Sequence, residues 1–184
     1  MKHDVFLRKH PVFTGEELAK HLASCGEVGG RAQEAFLAYR RKTGRVVRVR
    51  RGLYAVIPPG ADSDSYPVDP FLVAAKLTPD SVLSHHTALQ LHGKAHSVHT
   101  HITYSASRPL GLLTFRSHVF RGTRFQRTLL RTGKVHAGVS IKERAGMELR
   151  VASLERTLVD VLDRPALSGS WEEIWRSLES VEFF

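Results

Sequence analysis

A basic segment in the first third of the chain carries the residue types best suited to binding a polyanion. It runs RRKTGRVVRVRRGLY over residues 40–54 and contains no acid. Its seven cations are Arg40, Arg41, Lys42, Arg45, Arg48, Arg50 and Arg51. Guanidinium and ammonium groups bind phosphate oxygens, and such contacts position a protein on DNA without reading its sequence. We therefore expect these seven side chains to contact DNA phosphates.

The charge of the whole chain is distributed in blocks. The 184 residues carry a formal net charge of +9. Residues 1–60 hold 12 Lys and Arg against 5 acids, and residues 81–142 hold 9 Lys and Arg and no acid, whereas residues 61–80 and 143–184 are net acidic. This pattern favours a polyanion-facing surface in two pieces over a random distribution of surface charge.

The histidines are the second group that could do chemistry. Six of the eleven fall within residues 85–101, and His99 and His101 would share one face of a strand, a permissible spacing for metal ligands. However, residues 81–142 offer no acid to complete a ligand set or to orient the rings, and Cys25 is the single cysteine. We expect no metal ion and no other cofactor.

Catalytic signatures are missing from the sequence. It contains no G-x-S-x-G, no H-E-x-x-H and no phosphate-binding loop. Gly169 and Ser170, followed by Glu172 and Glu173, resemble a nucleotidyltransferase signature only faintly, and a helix-capping pattern explains them. We expect a protein that is not an enzyme.

Two helices are predicted before the basic segment. Thr14 and Glu17 have the spacing of a capping box, and Phe13 and Leu18 occupy the hydrophobic-staple positions, so a helix begins there. After a glycine-rich turn, the second helix covers about residues 31–43. Its predicted buried stripe is Ala32, Ala35, Phe36 and Tyr39.

The basic segment itself is predicted to form a hairpin. Val47 and Val49 alternate with Arg48 and Arg50, the period of a half-buried strand, and a turn is expected at Arg51–Gly52. The valines would then face the core and the arginines would face phosphates. Two helices followed by a basic hairpin predict a winged helix-turn-helix.

In this geometry the second helix enters the major groove of duplex DNA, with its early residues nearest the base edges. Those residues are Arg31, Gln33 and Glu34. Arginine pairs with guanine, glutamine with adenine, and glutamate accepts from cytosine, so we expect these three to contact bases.

The sequence predicts an α+β protein with two domains. Residues 1–57 are assigned to the winged helix-turn-helix, residues 58–69 to a linker rich in Pro, Gly, Ser and Asp, and residues 70–184 to a mixed α/β domain. The last helix places Trp171, Ile174, Trp175 and Leu178 on one stripe. No apolar run approaches the length of a membrane span, and we expect a cytoplasmic protein.

Three segments together resemble the AbiEi-type antitoxins of bacterial type IV toxin–antitoxin systems. They are VRVRRGLYAV at 47–56, DPFLVAAKLTPDSVLSHHTALQLHG at 69–93 and VASLERTLVDVLDRP at 151–165. The matching positions of the wing are Arg48, Arg50, Arg51, Gly52 and Tyr54, and those of the second domain are Ser84, His85, His86 and residues 153–157.

The resemblance implies an autorepressor that binds the operator DNA of its own operon, with two copies of the protein binding inverted repeats. It also implies a second domain that counters a nucleotidyltransferase-like toxin without a stable complex being required. Because members of the family generally continue past the tryptophan helix, the apolar ending at Phe183 and Phe184 indicates a truncated chain.

Two alternatives to this function stay open. One is a DNA-directed, metal-dependent nuclease or transferase that uses the His-rich segment, and the other is a basic module that binds RNA or an acidic protein.

Overall fold

The structure is a computed structural model that describes residues 2–181. The predicted apolar ending at Phe183 and Phe184 lies outside the described residues. The chain forms two compact units, which divide later in the sequence than the predicted linker of residues 58–69. Of the described residues, the N-terminal unit comprises 2–76 and 144–147, and the C-terminal unit comprises 77–143 and 148–181.

The N-terminal unit contains four helices and one small sheet. Its elements are α1 (Lys2–Lys9), β1 (Val12–Thr14), α2 (Gly15–Ser24), α3 (Gly30–Lys42), β2 (Val46–Arg50), β3 (Leu53–Val56) and α4 (Pro70–Ala75). The three strands pair antiparallel in the order β1-β3-β2. This element order is compatible with the predicted winged helix-turn-helix, to which the structure adds α1 and β1.

The start of α2 has the predicted capping box. The Thr14 hydroxyl accepts a hydrogen bond from the Glu17 amide at 3.2 Å, and the Glu17 carboxylate accepts one from the Thr14 amide at 2.8 Å. Phe13 and Leu18 are completely buried beside it. Both the cap and the hydrophobic staple are therefore confirmed.

An apolar cluster lies at the centre of the contacts between α1, α2 and α3. Its fully or largely buried members are Phe6, Leu7, Phe13, Leu18, Leu22, Leu37 and Val46. Helix α1, which was not expected from the sequence, supplies Phe6 and Leu7, so α2 and α3 pack against an element that precedes them in the chain.

The predicted buried stripe of α3 is wrong. Leu37 is its buried residue and Phe36 is half-buried, whereas Ala35 is exposed and Tyr39 is 63% exposed. Leu37, with Phe36 packed beside it, joins the apolar cluster that Phe6 and Leu7 of α1 and Leu18 and Leu22 of α2 form, so packing against those helices decides which side of α3 is buried. Helix α3 is consequently rotated relative to the prediction.

The C-terminal unit is built on a mixed six-stranded sheet. Its strands are β4 (Val82–Leu83), β5 (His101–Ala106), β6 (Leu113–Phe115), β7 (His118–Arg124), β8 (Val139–Arg144) and β9 (Met147–Ala152), in the order β6-β7-β5-β4-β9-β8. The helices are α5 (His85–Leu91), α6 (Arg127–Thr132), α7 (Leu154–Asp163) and α8 (Trp171–Glu179). The α+β class is confirmed.

Strand β5 differs from the strand on which His99 and His101 were expected to share one face. It begins at His101, so His99 is not on the same strand face, and Val98 is 91% exposed outside the strand. Residues 102–106 are all buried because β5 lies inside the sheet, between β7 and β4, and both of its faces are covered.

The last helix buries only part of the predicted stripe. Ser170 caps α8 and Ile174 is buried, but Trp171 and Trp175 are 60% and 65% exposed. The buried face runs through Ile174 and Ser177, so the two tryptophans lie beside it. Within residues 2–181, none of the helices has the length and apolar character needed to cross a bilayer.

Candidate nucleic-acid interface

Helix α3 presents a continuous exposed face. Its members lie three or four residues apart, which puts them on one side of a helix. They are Arg31, Glu34, Ala35, Ala38, Arg41 and Lys42. We call this set the α3 face. Cations stand at both ends, and the two alanines leave a low surface between them.

Gln33 lies on the opposite side of α3 from this face. Its side-chain Nε2 donates to the Gly15 carbonyl at 2.9 Å, and the Gly15 amide donates to the Gly52 carbonyl at 2.9 Å. These two bonds connect α3, the start of α2 and the hairpin turn. Of the three residues predicted to contact bases, the structure leaves Arg31 and Glu34 exposed and uses the Gln33 amide within the fold.

Two of the predicted phosphate-binding arginines are also engaged within the N-terminal unit. Arg40 Nη2 lies 3.2 Å from Asp4 Oδ1, and its side chain is only 16% exposed. Arg45 Nε donates to the Ile57 carbonyl at 3.1 Å. Both side chains therefore stabilise the N-terminal unit. The sequence alone did not indicate this role.

The hairpin is present, but a β-bulge changes the direction of its arginines. Arg48 pairs with Tyr54 and Arg50 with Leu53, so Val49 is the extra residue. Since Leu53 and Tyr54 point to opposite faces of β3, Arg48 and Arg50 also point to opposite faces.

The burial of the hairpin residues follows from this bulge. The predicted regular alternation of buried valines and exposed arginines is wrong. Val49 is buried, Val47 is only half-buried, and Val46 is the valine that belongs to the apolar cluster of the N-terminal unit. Arg48 is exposed. Arg50 is half-buried, with an Nε that is buried and has no hydrogen-bond partner among the described residues.

The turn places Arg51 at the tip of the hairpin. Gly52 has φ of 78°, a left-handed conformation that glycine adopts without a Cβ penalty, and Arg51 is exposed. Across residues 2–181, five exposed basic side chains of this region form no ion pair with an acid. They are Arg31, Arg41, Lys42, Arg48 and Arg51.

Comparisons with known proteins bear on the fold alone. No protein-family model matches the chain. No curated protein matches it either. Among solved structures, the chain is similar to the RV2827C protein of Mycobacterium tuberculosis, with a TM-score of 0.53 and 20% sequence identity over 93% of this chain. The chain spans 62% of the length of that protein.

Proposed function

We propose that the protein is a DNA-binding transcriptional autorepressor and the antitoxin of a type IV toxin–antitoxin system. The observation that carries the DNA-binding part is the α3 face, which is exposed, flanked by cations and followed by a hairpin with an arginine at its tip. A surface helix that only contacts solvent does not require two alanines between cations at its two ends.

In this proposal α3 enters the major groove through the α3 face. Arg31 and Glu34 reach base edges, and the methyl groups of Ala35 and Ala38 allow a close approach and can contact thymine methyls. Arg41, Lys42, Arg48 and Arg51 bind phosphates on either side. The Gln33–Gly15–Gly52 hydrogen bonds hold α3 and the hairpin turn in a fixed position relative to each other.

The antitoxin part depends on the resemblance to AbiEi-type proteins. The segments that carry it in the C-terminal unit include buried residues, such as His85 at 3% exposure and the fully buried Thr157, beside exposed ones such as Val159. Their buried residues fit a role in a shared fold. We propose that a cytoplasmic, non-enzymatic C-terminal unit counters a nucleotidyltransferase-like toxin.

The proposal is tested by measuring binding to the DNA immediately upstream of the protein's own gene. Replacing both Arg48 and Arg51 by Ala is expected to weaken binding about tenfold, since each exposed ionic contact contributes on the order of 0.7 kcal/mol. The matched control is the double variant Arg127→Ala/Arg131→Ala, which removes two exposed arginines from the C-terminal unit. Equal affinities of the hairpin variant and the control would contradict the proposal.

A further inference from the structure

Three potential metal ligands converge at the helix-turn-helix of the N-terminal unit. Nδ1 of His3, on α1, lies 3.2 Å from Nε2 of His21, near the end of α2. That Nε2 lies 3.8 Å from Sγ of Cys25, in the turn that leads to α3. All three ligand atoms are within 4.8 Å of one another. His21 and Cys25 are four residues apart in the sequence, but His3 precedes His21 by 18 residues, and only the fold brings its ring to the other two side chains.

The two shorter distances between the ligand atoms are those of a tetrahedral site, and the third is within 4.8 Å. With metal–nitrogen bonds of about 2.0–2.1 Å and a metal–sulfur bond of about 2.3 Å, a tetrahedral ion separates two nitrogens by about 3.3 Å and a nitrogen from a sulfur by about 3.6 Å. The separations of 3.2 Å and 3.8 Å agree with both values. Imidazole and thiolate together favour an ion of borderline softness such as Zn²⁺.

The surroundings orient the two imidazoles toward each other. The Glu27 carboxylate lies 3.1 Å from His3 Nε2, so that ring can donate its Nε2–H to Glu27 and turn its Nδ1 toward His21. A carboxylate behind a histidine is the usual support of a metal-binding imidazole. Phe6 stacks on His21 with ring centroids 4.4 Å apart, and Phe36 contacts the edge of the His3 ring at 5.3 Å.

We propose that His3, His21 and Cys25 bind one divalent transition-metal ion, Zn²⁺ in the first instance, with Glu27 positioning His3 and a water molecule in the fourth position. Binding converts the Cys25 thiol to a thiolate and releases its proton to solvent. The ion joins α1, α2 and the turn before α3, and so restrains a turn that contains glycines at φ of 86° and 110°, Gly26 and Gly29.

A second cluster of His and Glu side chains in the C-terminal unit does not compete with this assignment. His86, His99 and Glu173 also approach one another, but Ser97 lies among them. Its backbone carbonyl bonds His86 Nε2 at 3.0 Å, its hydroxyl bonds His99 Nε2 at 3.0 Å, and its amide donates to Glu173 at 2.9 Å. His86 Nε2, His99 Nε2 and the Glu173 carboxylate are therefore engaged by Ser97, and His86 Nδ1 is left buried without a hydrogen-bond partner among the described residues.

The test is titration of the reduced, full-length protein with Co²⁺ in the absence of DNA. We expect one Co²⁺ per chain, the visible absorption bands of tetrahedral cobalt, and a thiolate-to-cobalt charge-transfer band. Zn²⁺ should displace the cobalt. Cys25→Ser should abolish the charge-transfer band and weaken Zn²⁺ binding at least about tenfold, and Glu27→Gln should weaken it by about ten- to a hundredfold.

The control variant is His136→Ala, which removes an exposed histidine of the C-terminal unit and should leave the spectrum and the affinity unchanged. Because Cys25→Ser keeps the size of the side chain, it tests the ligand without a packing change. A Co²⁺ complex without the charge-transfer band, or equal Zn²⁺ affinity of wild type and Cys25→Ser, would overturn the proposed site.

A consequence for DNA binding rests on the proposed function and is measured separately. If the ion restrains the turn before α3, Zn²⁺ should increase operator affinity of the wild type and leave that of Cys25→Ser unchanged. A protein that binds metal as described but no DNA would refute the proposed function and keep the metal site. A protein that binds the operator DNA but gives no cobalt absorption spectrum would refute the metal site and keep the proposed function.

Discussion

His85 shows how strongly one buried residue can respond to its surroundings. It is 3% exposed at the start of α5, and its Nδ1 lies 3.0 Å from the Ser84 hydroxyl. Burial, followed by the positive charges of Arg164 and Arg156, lowers its pKa from 6.5 to about 3. Its backbone φ of 54° is left-handed, a conformation that Asn tolerates better than most residues.

This lowered pKa predicts an acid-dependent loss of stability. Between pH 6.5 and 3 the unfolded chain binds a proton at His85 and the native chain does not, so the free energy of unfolding falls as the pH falls. We compare wild type with His85→Asn, which keeps the left-handed residue and cannot titrate there. The wild type's stability relative to the variant should be constant above pH 6.5 and decrease by on the order of 3–5 kcal/mol toward pH 3.

The measurement is urea denaturation of both proteins at several pH values. Other titrating groups cancel in the difference, since both proteins contain them. A stability difference that stays constant across this pH range would show that the His85 imidazole is protonated in the native state.

At the scale of elements, the pairing of β5 and β7 depends on one glycine. Gly122 of β7 is paired in parallel register with Tyr104 of β5, which is fully buried. A Cβ at residue 122 would lie 2.7 Å from the Tyr104 hydroxyl and 2.7 Å from Pro109 Cβ. The ring of Tyr104 thus covers the space that a side chain at 122 would need.

Gly122→Ala is therefore expected to lower the free energy of unfolding by about 1–3 kcal/mol, the usual cost of inserting a methyl group into a packed site. Gly111→Ala is the matched control, because a Cβ there would meet no atom within 4 Å and its φ is not left-handed. The control should change stability by less than about 0.5 kcal/mol in thermal or urea denaturation. Equal effects of the two substitutions would contradict the role assigned to Tyr104.

At the scale of the whole molecule, two basic blocks are candidates for the DNA contacts of the proposed function. The first block contributes five exposed, unpaired cations around α3 and the hairpin. The acid-free residues 81–142 contribute others, including Arg131 and Lys134 in the C-terminal unit, which are also exposed. The sequence does not distinguish the blocks, because both have the same sign and a similar density of charge.

Salt dependence separates them. If the four cations assigned to phosphates (Arg41, Lys42, Arg48 and Arg51) bind them, log K should fall with log salt at a slope of about −3.6, since each phosphate contact contributes about −0.9. Arg41→Ala/Lys42→Ala should reduce the slope by about 2, and Arg131→Ala/Lys134→Ala should leave it unchanged. A reduction in the second variant instead would assign the phosphate contacts to the C-terminal unit.

Prediction from sequence succeeded where neighbouring residues decide the structure. Thr14 and Glu17 cap α2 because both partners lie within one helical turn. Prediction failed where two local solutions compete: Leu37 and Tyr39 each fit an apolar stripe of α3, and only packing against α1 and α2 selects Leu37. The bulge at Val49 could not be predicted for the same reason, since it depends on how β2 pairs with β3.

By itself, then, the sequence determined the α+β class, the helix caps, the hairpin turn and the concentration of positive charge, since each depends on contacts a few residues apart or on composition. Tertiary structure alone decided which arginines are held inside the N-terminal unit, which face of α3 is exposed, and that His3, His21 and Cys25 meet. Those outcomes depend on burial and on contacts between separate elements, which no local pattern encodes.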